Sequence, residues 1–418
     1  MPFRSGRVSY CRFRVVGEAP VVVDETMFAK LDEHKFREAS PGVPGDIESG
    51  WTTGDHLLDT QFSYEKNGFG DMLLMAMRLD SHAVPSDLKH AYRRINEQAA
   101  AGQNPSGFAS KAQKREAAEL AERQIHEDLA SGRFRKSKLI PVLWDLRRQT
   151  VYSAAATAAA VEQLARLFHQ TFGLKSEIIT AGSLAGHLLR QRGRGRDYED
   201  LRPSALTRPP AAATIDHEDA DGPRDINTPI CPWVAQSTDL KDFVGNEFLI
   251  WLWYVLEAEE GMVSIDKDEI AITIDKSLDM DCAWSVNGKQ TLRGDGPTRL
   301  IEAGDALATG KWPRKMGLIV SDGEHQWELA LQGDRMTVSA AALPTIEQAN
   351  SPREIIEMRL QLVRRLTEVL DLLFGQFLAQ RGGDAWPAVR SRMARWITDR
   401  RAPKAPTPAP TTAPVETP

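Results

Sequence analysis

Cysteine is nearly absent. Three residues in 418, Cys11, Cys231 and Cys282, stand far apart and form no CxxC pair. That spacing excludes a disulfide framework and a zinc ribbon, and it fits a reducing compartment. Long apolar runs are also missing. The most apolar stretch, FLIWLWYVL at 248–256, is too short for a helix crossing ~30 Å of hydrocarbon. It is expected as a buried core helix, and no membrane association is expected. The N-terminus has no apolar h-region, so it does not read as a signal peptide. GxxxxGK[ST], GxSxG and HExxH do not occur. The Gly68–Gly70 pair does not lead from a strand into a helix, as a dinucleotide site requires. No cofactor is therefore expected. No repeat of fixed period is found. A large excess of one charge sign is lacking too. Lys plus Arg number 52 against 58 Asp plus Glu, for a net charge of −6. That excludes a uniformly basic coat but leaves room for a local basic face.

What is present is an ordinary globular composition, 42% hydrophobic and 26% charged, long enough for about two or three domains. Residues 8–16 read as a strand. Asp24 caps a helix through about Phe36, SPGVPGD at 40–46 is a loop, and 71–79 is a buried strand. Pro85 opens a helix over 86–100, with Ser86 and Asp87 as acceptors for its first amides. Ser110 caps a second helix over 110–130 whose apolar stripe is mostly alanine. Strands are expected at 139–147 and 150–155. The helix 157–172 carries Val161, Leu164, Leu167 and Phe168 at three- and four-residue steps and stops at Gly173, before a strand in LKSEIIT.

Residues 190–238, rich in Gly, Pro and Arg, read as a partly disordered insertion or linker. Asp239 is expected to cap a helix to Leu256. Two hairpins follow, around Asn287-Gly288 and Asp322-Gly323, with a short helix at 302–309 between them. Ile355, Met358, Leu362, Leu366, Val369, Leu373 and Phe377 mark the apolar face of a helix over 353–380. Another helix is expected from Trp386 to Arg400, and 402–418 is a Pro/Thr tail, disordered by composition. The fold class is α+β, with mixed or antiparallel sheets and long helices. The expected regions are 1–188 with a charged helical arm at about 86–138, a linker at 189–238, a second α+β region at 239–345, helices at 346–400 and a tail at 401–418.

Basic clustering is the informative chemistry. Residues 111–138 hold eight cations and five anions, net +3 in a chain of −6. Lys111, Lys114 and Arg115 form one basic end, and Arg133, Arg135, Lys136 and Lys138 the other. Phe134, between the arginines, can press on a sugar or a base. Arg190, Arg192, Arg194, Arg196, Arg202 and Arg208 add a second group; Lys311, Arg314 and Lys315 surround Trp312. Flexible cations suit phosphate contacts, which carry no sequence information. Solvated i,i+4 pairs such as Glu119 with Arg123 are the plainer alternative. The carboxylates Asp266, Asp268, Glu269, Asp279 and Asp281 offer another, a metal-dependent nuclease, although oxygen-ligand sites need six or more donors. A protein–protein scaffold using the Trp251–Trp253 helix and the 353–380 helix is a third.

The order of these segments resembles the recombination-associated RdgC family of bacterial DNA-binding proteins. The likeness runs through the N-terminal strand and helix, Gly50-Trp51, the strand 71–79 and AVPSDLKHAYRRI. It continues through the charged helix, the basic arm, VLWDLRRQTVYSAA and the helix from Thr157. GNEFLIWLWYVLE and PTRLIEAGDALATGKWPRKMGLIV resemble segments of the longer RdgC-like proteins. The likeness covers about 8–188 and 239–345. It implies a horseshoe-like subunit that closes as a homodimer into a ring around duplex DNA. It also implies non-sequence-specific binding of double- and single-stranded DNA, competition with RecA for DNA, and a cytoplasmic, nucleoid-associated place. The implied DNA-lining residues are Lys111, Lys114, Arg115, Arg133, Phe134, Arg135, Lys136, Lys138, Arg314 and Lys315. The 190–238 segment, the long C-terminal helix and the tail depart from the family.

Overall fold

The computed structural model describes residues 2–37, 47–82, 84–207, 209–210, 227–258, 262–265, 268–346 and 348–400. The expected loop at 40–46 and tail at 402–418 lie outside them. The chain divides into two units, Met1–Ile179 with Thr345–Leu362, and Thr180–Pro344 with Val363–Pro418. The boundary thus falls at 179/180, ahead of the expected 188. Both units combine helices with antiparallel strands, so the fold is α+β. Among the described residues, every strand pairing within a unit is antiparallel, and one isolated parallel bridge joins Lys35 to Trp51.

The first unit runs β1 (Val8–Val16), α1 (Glu25–Glu33), β2 (Ile47–Thr52), α2 (Tyr64–Asn67), β3 (Gly68–Phe69), β4 (Met72–His82), α3 (Ser86–Gly102), α4 (Lys111–Ala130), β5 (Arg135–Asp145), β6 (Thr150–Ser153), α5 (Ala158–Phe172) and β7 (Lys175–Ile179). Its sheet order is β7-β1-β6-β5-β4-β2, with β3 on β4. Alternation in β4 and β5 sends Leu73, Met75, Met77, Ile140, Val142 and Trp144 to one face, where they share a core with Met27, Leu31, Leu164 and Phe168 of α1 and α5. Trp144 meets Phe168 and Phe172 edge-on at 5.0 Å, and Trp51 Nε1 donates to Thr171 at 2.7 Å.

The Asp24 carboxylate accepts the Met27 amide at 3.1 Å and starts α1 as expected. The helix stops at Glu33 rather than Phe36 because the next residues pair with β2 instead. Trp51 N donates to His34 O at 3.0 Å, and Phe36 N to Trp51 O at 2.9 Å. This close approach needs Gly50, where a Cβ would stand 2.5 Å from Phe36 Cα. At α3 the expected side-chain caps are not made: Pro85 is the N-cap residue, with no side-chain bond. Its ring fixes φ near the helical value. At Thr157 and Gly173 the helix ends are as expected. The Thr157 hydroxyl accepts the Ala160 amide at 3.2 Å, and Gly173 takes φ +72°.

The second unit runs α6 (Ala181–Gln191), α7 (Gly195–Glu199), α8 (Phe243–Ala258), β8 (Met262–Ile265), β9 (Asp268–Cys282), β10 (Gln290–Gly294), α9 (Ile301–Ala308), β11 (Lys311–Ser321), β12 (Gln326–Gln332), β13 (Thr337–Ala342), α10 (Pro352–Arg381) and α11 (Trp386–Asp399). Of α10, residues from Val363 onward belong here. The sheet order is β10-β9-β11-β12-β13, with β8 also on β9. The expected core helix is α8, with Phe248, Leu249, Ile250, Trp251, Leu252 and Trp253 all buried. Phe248 packs on Phe374 at 5.3 Å and on Phe377 at 5.7 Å. Gly245 and Gly333 let α8 touch the β12–β13 turn; a Cβ on Gly245 would overlap Gly333 O at 2.0 Å.

Three expectations are corrected here. Asp239 does not cap α8, which begins at Phe243; it accepts the Lys241 amide at 2.8 Å and the Tyr198 hydroxyl at 2.7 Å. The Asn287-Gly288 hairpin forms, but across residues 283–289 rather than a tight turn. Ala283 leaves the ladder because its carbonyl accepts the Ile230 and Cys231 amides, both at 2.8 Å. The described parts of 190–238 are not a free linker. Arg192 donates to Gly375 O at 3.1 Å, Arg194 to Gly382 O, and Trp233 Nε1 to Asn246 at 2.8 Å. Residues 211–226 lie outside the described residues.

Asp242 is fully buried at the start of α6, where its carboxylate accepts the Gly182 amide at 2.8 Å and the Ser237 hydroxyl. Burial pushes its pKa up to about 6, against the opposing hydrogen bonds from Ser237, Thr180 and Gly182. Glu247, also fully buried, accepts the Ser204 amide at 2.5 Å and pairs with Arg381 at 2.7 Å.

Candidate nucleic-acid interface

The charged arm grows out of the first unit's sheet. His82, last in β4, is the register partner of Arg135, first in β5. Residues 83–134 are therefore a loop between two neighbouring strands, and helices α3 and α4 fill it. Among the described residues, each of the two helices packs chiefly on the other. The seam is thin, as the alanine-rich pattern requires: α3 buries no residue, and α4 buries Ala117, Ala121 and Leu129. Polar bonds hold the rest. Asn96 Nδ2 donates to Gln124 at 3.2 Å in the middle. At the tip Asn104 and Gln113 exchange bonds of 2.7 and 3.2 Å. At the base the Tyr92 hydroxyl donates to Asp128 at 2.5 Å, and Arg133 pairs with Asp128 at 3.1 Å. The Tyr92 hydrogen bond, with Arg133 behind it, holds the Asp128 carboxyl below its ordinary range. The same bond raises the Tyr92 phenol.

The expected cations of this arm fall into two groups. Lys111 and Lys114 are exposed at the tip and make no ion pair among the described residues, while Arg115 reaches Glu119 at 3.7 Å. At the base, β5 starts four residues earlier than expected, so Arg135, Lys136 and Lys138 lie on a strand rather than in a loose arm. Lys136 and Lys138 are exposed and without an ion pair among the described residues. They continue the strand face that carries Ile140 and Val142. Arg135 is half-buried on the other face, 3.9 Å from Asp80. Arg78 also holds Asp80, at 2.9 and 2.7 Å. Phe134 is half-buried, with the Arg133 guanidinium 5.8 Å above its ring. The twenty residues of α4 hold tip and base about 30 Å apart at 1.5 Å per residue. They are two clusters, not one.

Sequence reasoning passed over Lys89, Arg93 and Arg94. All three are exposed on α3 at the base end, and Arg93 pairs with Glu97 at 2.9 Å. Lys89 and Arg94 make no ion pair among the described residues. Their i, i+4, i+5 spacing was the available signal. With them, residues 86–138 hold eleven cations against seven anions.

Arg314 and Lys315 belong to β11 of the other unit and sit in a different setting. Arg314 pairs with Asp334 at 2.8 Å and Asp281 at 3.4 Å, and lies 4.6 Å over the Trp233 ring. Lys315 is half-buried, with Asp279 and Gln332 as its cross-strand neighbours. Arg314 is thus already committed to two carboxylates of its own unit.

Of the nuclease carboxylates, Asp281 is committed in the same way. It is held by Arg314 and, at 3.9 Å, by Lys289; Asp266 lies outside the described residues. Among the described residues, one trio of metal-capable side chains meets within 4.8 Å: Asp55, His56 and Asp59. Its charge is already balanced by Lys66 on Asp59 at 2.9 Å and Arg4 near Asp55 at 3.6 Å. Burial works to raise the Asp59 pKa, but the bonds from Lys66 and Thr53 prevail and lower it. All three cysteines are buried thiols outside any disulfide. No described helix is long and apolar enough to cross a membrane. No family model matches the chain, and no curated protein matches its sequence.

Proposed function

We propose that the protein binds DNA without reading its sequence, through the cations at the base and tip of the α3–α4 arm. One observation carries this reading. Lys89, Arg94, Lys136 and Lys138, from a helix and a strand at the same end of the arm, are all exposed and lack acidic partners among the described residues. Unpaired, mobile cations are what phosphates recruit, since binding them releases counterions. On the resemblance to the RdgC proteins, the reading extends to double- and single-stranded DNA as ligands. It also extends to a horseshoe-like subunit, a homodimer closing around duplex, and modulation of homologous recombination by limiting RecA access.

Titrating two unrelated duplexes by fluorescence anisotropy over a salt series tests it. Changing Lys89, Arg94, Lys136 and Lys138 together to Ala should weaken both by at least about tenfold. The salt slope should become shallower by about 0.9 for each phosphate that the variant no longer neutralises. Arg314→Ala should lower stability and leave the slope alone. Unchanged affinity in the quadruple variant sinks the assignment. Degradation of labelled DNA in Mg²⁺ would replace it with the nuclease, and no binding at low salt with the scaffold.

A further inference from the structure

The arm ends in a short loop, Gln103–Ser110, that exposes one large apolar side chain. Phe108 is 79% exposed. An isolated exposed aromatic on a floppy loop would carry little meaning, but this loop is braced. Asn104 Nδ2 donates to Phe108 O at 2.7 Å, and the Gly107 amide to Asn104 O at 3.0 Å. Gly107 supplies the left-handed turn at φ +70°. The Phe108 amide donates to Ser106 Oγ at 3.4 Å. Gln113 closes the loop from below, accepting the Ser110 amide at 2.9 Å while its own amide donates to Ser110 Oγ at 3.3 Å. The backbone under the ring is held while the ring faces solvent. Lys111, Lys114 and Arg115 follow within seven residues, all exposed.

We propose that Phe108 is a stacking platform for an unpaired DNA base, and that it gives the arm tip a preference for single strands. The inference rests on the DNA-binding reading above and adds the ligand form. An aromatic face set among cations is the arrangement that holds single-stranded nucleic acid: the cations track phosphates and the ring takes a base. A single strand offers its bases at no cost. A duplex must first unstack a base step, which costs more than one ring returns. Holding the loop in advance lowers the ordering cost of the contact.

The experiment compares the intact chain with Phe108→Ala and Phe108→Trp, using a 20-mer of oligo(dT) and a 20-base-pair duplex. Phe108→Ala should weaken oligo(dT) binding by roughly 5- to 150-fold, the factor one stacked base is worth. Duplex affinity should change by less than about twofold, and Phe108→Trp should restore oligo(dT) binding. The melting temperature should stay the same, because the ring buries little. Equal losses on both DNAs, or no loss on oligo(dT), overturn the proposal while leaving the DNA-binding reading intact. A changed sedimentation mass with unchanged oligo(dT) affinity overturns it too, by making the ring a protein contact. If the parent chain binds neither DNA, both readings fall together.

Discussion

The arm at 86–138 and the α8–α10 region of the second unit treat charge in opposite ways. In the arm, Lys89, Arg94, Lys111, Lys114, Lys136 and Lys138 stand in solvent without carboxylates among the described residues. Around α8, Arg381 is matched with the buried Glu247, and Arg314 with the buried Asp334 and the half-buried Asp281. Arg381 and Arg314 also lie over the rings of Trp386 and Trp233 at 4.8 and 4.6 Å. Positive charge thus holds a fold in one place and is left available in the other. Counting arginines along a sequence cannot separate the two uses, because the acid that decides sits far away in the chain. Glu247 and Arg381 are 134 residues apart.

The contrast can be broken first at Glu247. Glu247→Ala leaves the Arg381 guanidinium without its carboxylate partner and the Ser204 amide without its acceptor, and should destabilise by about 3–5 kcal/mol in chemical denaturation. A loss under about 1 kcal/mol would mean that the buried pairs are as dispensable as surface ones.

Asp242 sharpens it next. Its folded pKa of about 6 lies above the ordinary 3.8. The fold therefore favours the protonated acid. That contribution is complete below about pH 4 and is lost as pH rises through 6. Stability measured by urea unfolding should fall across this window by about 3 kcal/mol more in the parent than in Asp242→Asn. Parallel profiles would show that Asp242 titrates normally.

The smallest effect belongs to the arm. Tyr92→Phe removes the hydroxyl bond to Asp128 and should cost about 1 kcal/mol of local arm stability. Amide exchange should quicken in α3 and α4 and stay unchanged in the strands. If the strands respond equally, the arm is not an independently opening element.

Much of the architecture was legible. Strong periodicity in 157–172 and 353–380 and the Ser110 cap marked elements where the structure has them. On α10 the expected apolar face holds from Leu362 to Phe377, while Ile355 and Met358 are 40% and 38% exposed. Periodicity marks which residues share a face, not how far along the helix a partner extends. The strand β2 went unread because its sequence, IESGWT, carries glycine and polar residues; its pairing is dictated by Phe36 and β4, which a local pattern does not contain. The two clusters of the arm were legible as charge, but Lys89, Arg93 and Arg94 were not joined to Lys136 and Lys138. Only the β4–β5 register brings a helix at 86 back to a strand at 135.

That register has a last consequence. Paired residues on adjacent strands sit only about 5 Å apart, so the chain between His82 and Arg135 is an insert on a hinge-sized footprint. A two-residue turn could join the same two ends. The sheet beneath asks nothing of the insert beyond its entry and exit points. Lengthening, trimming or swapping it should therefore leave the platform unaltered, so this segment of the gene can change the surface it presents without renegotiating how the sheet folds.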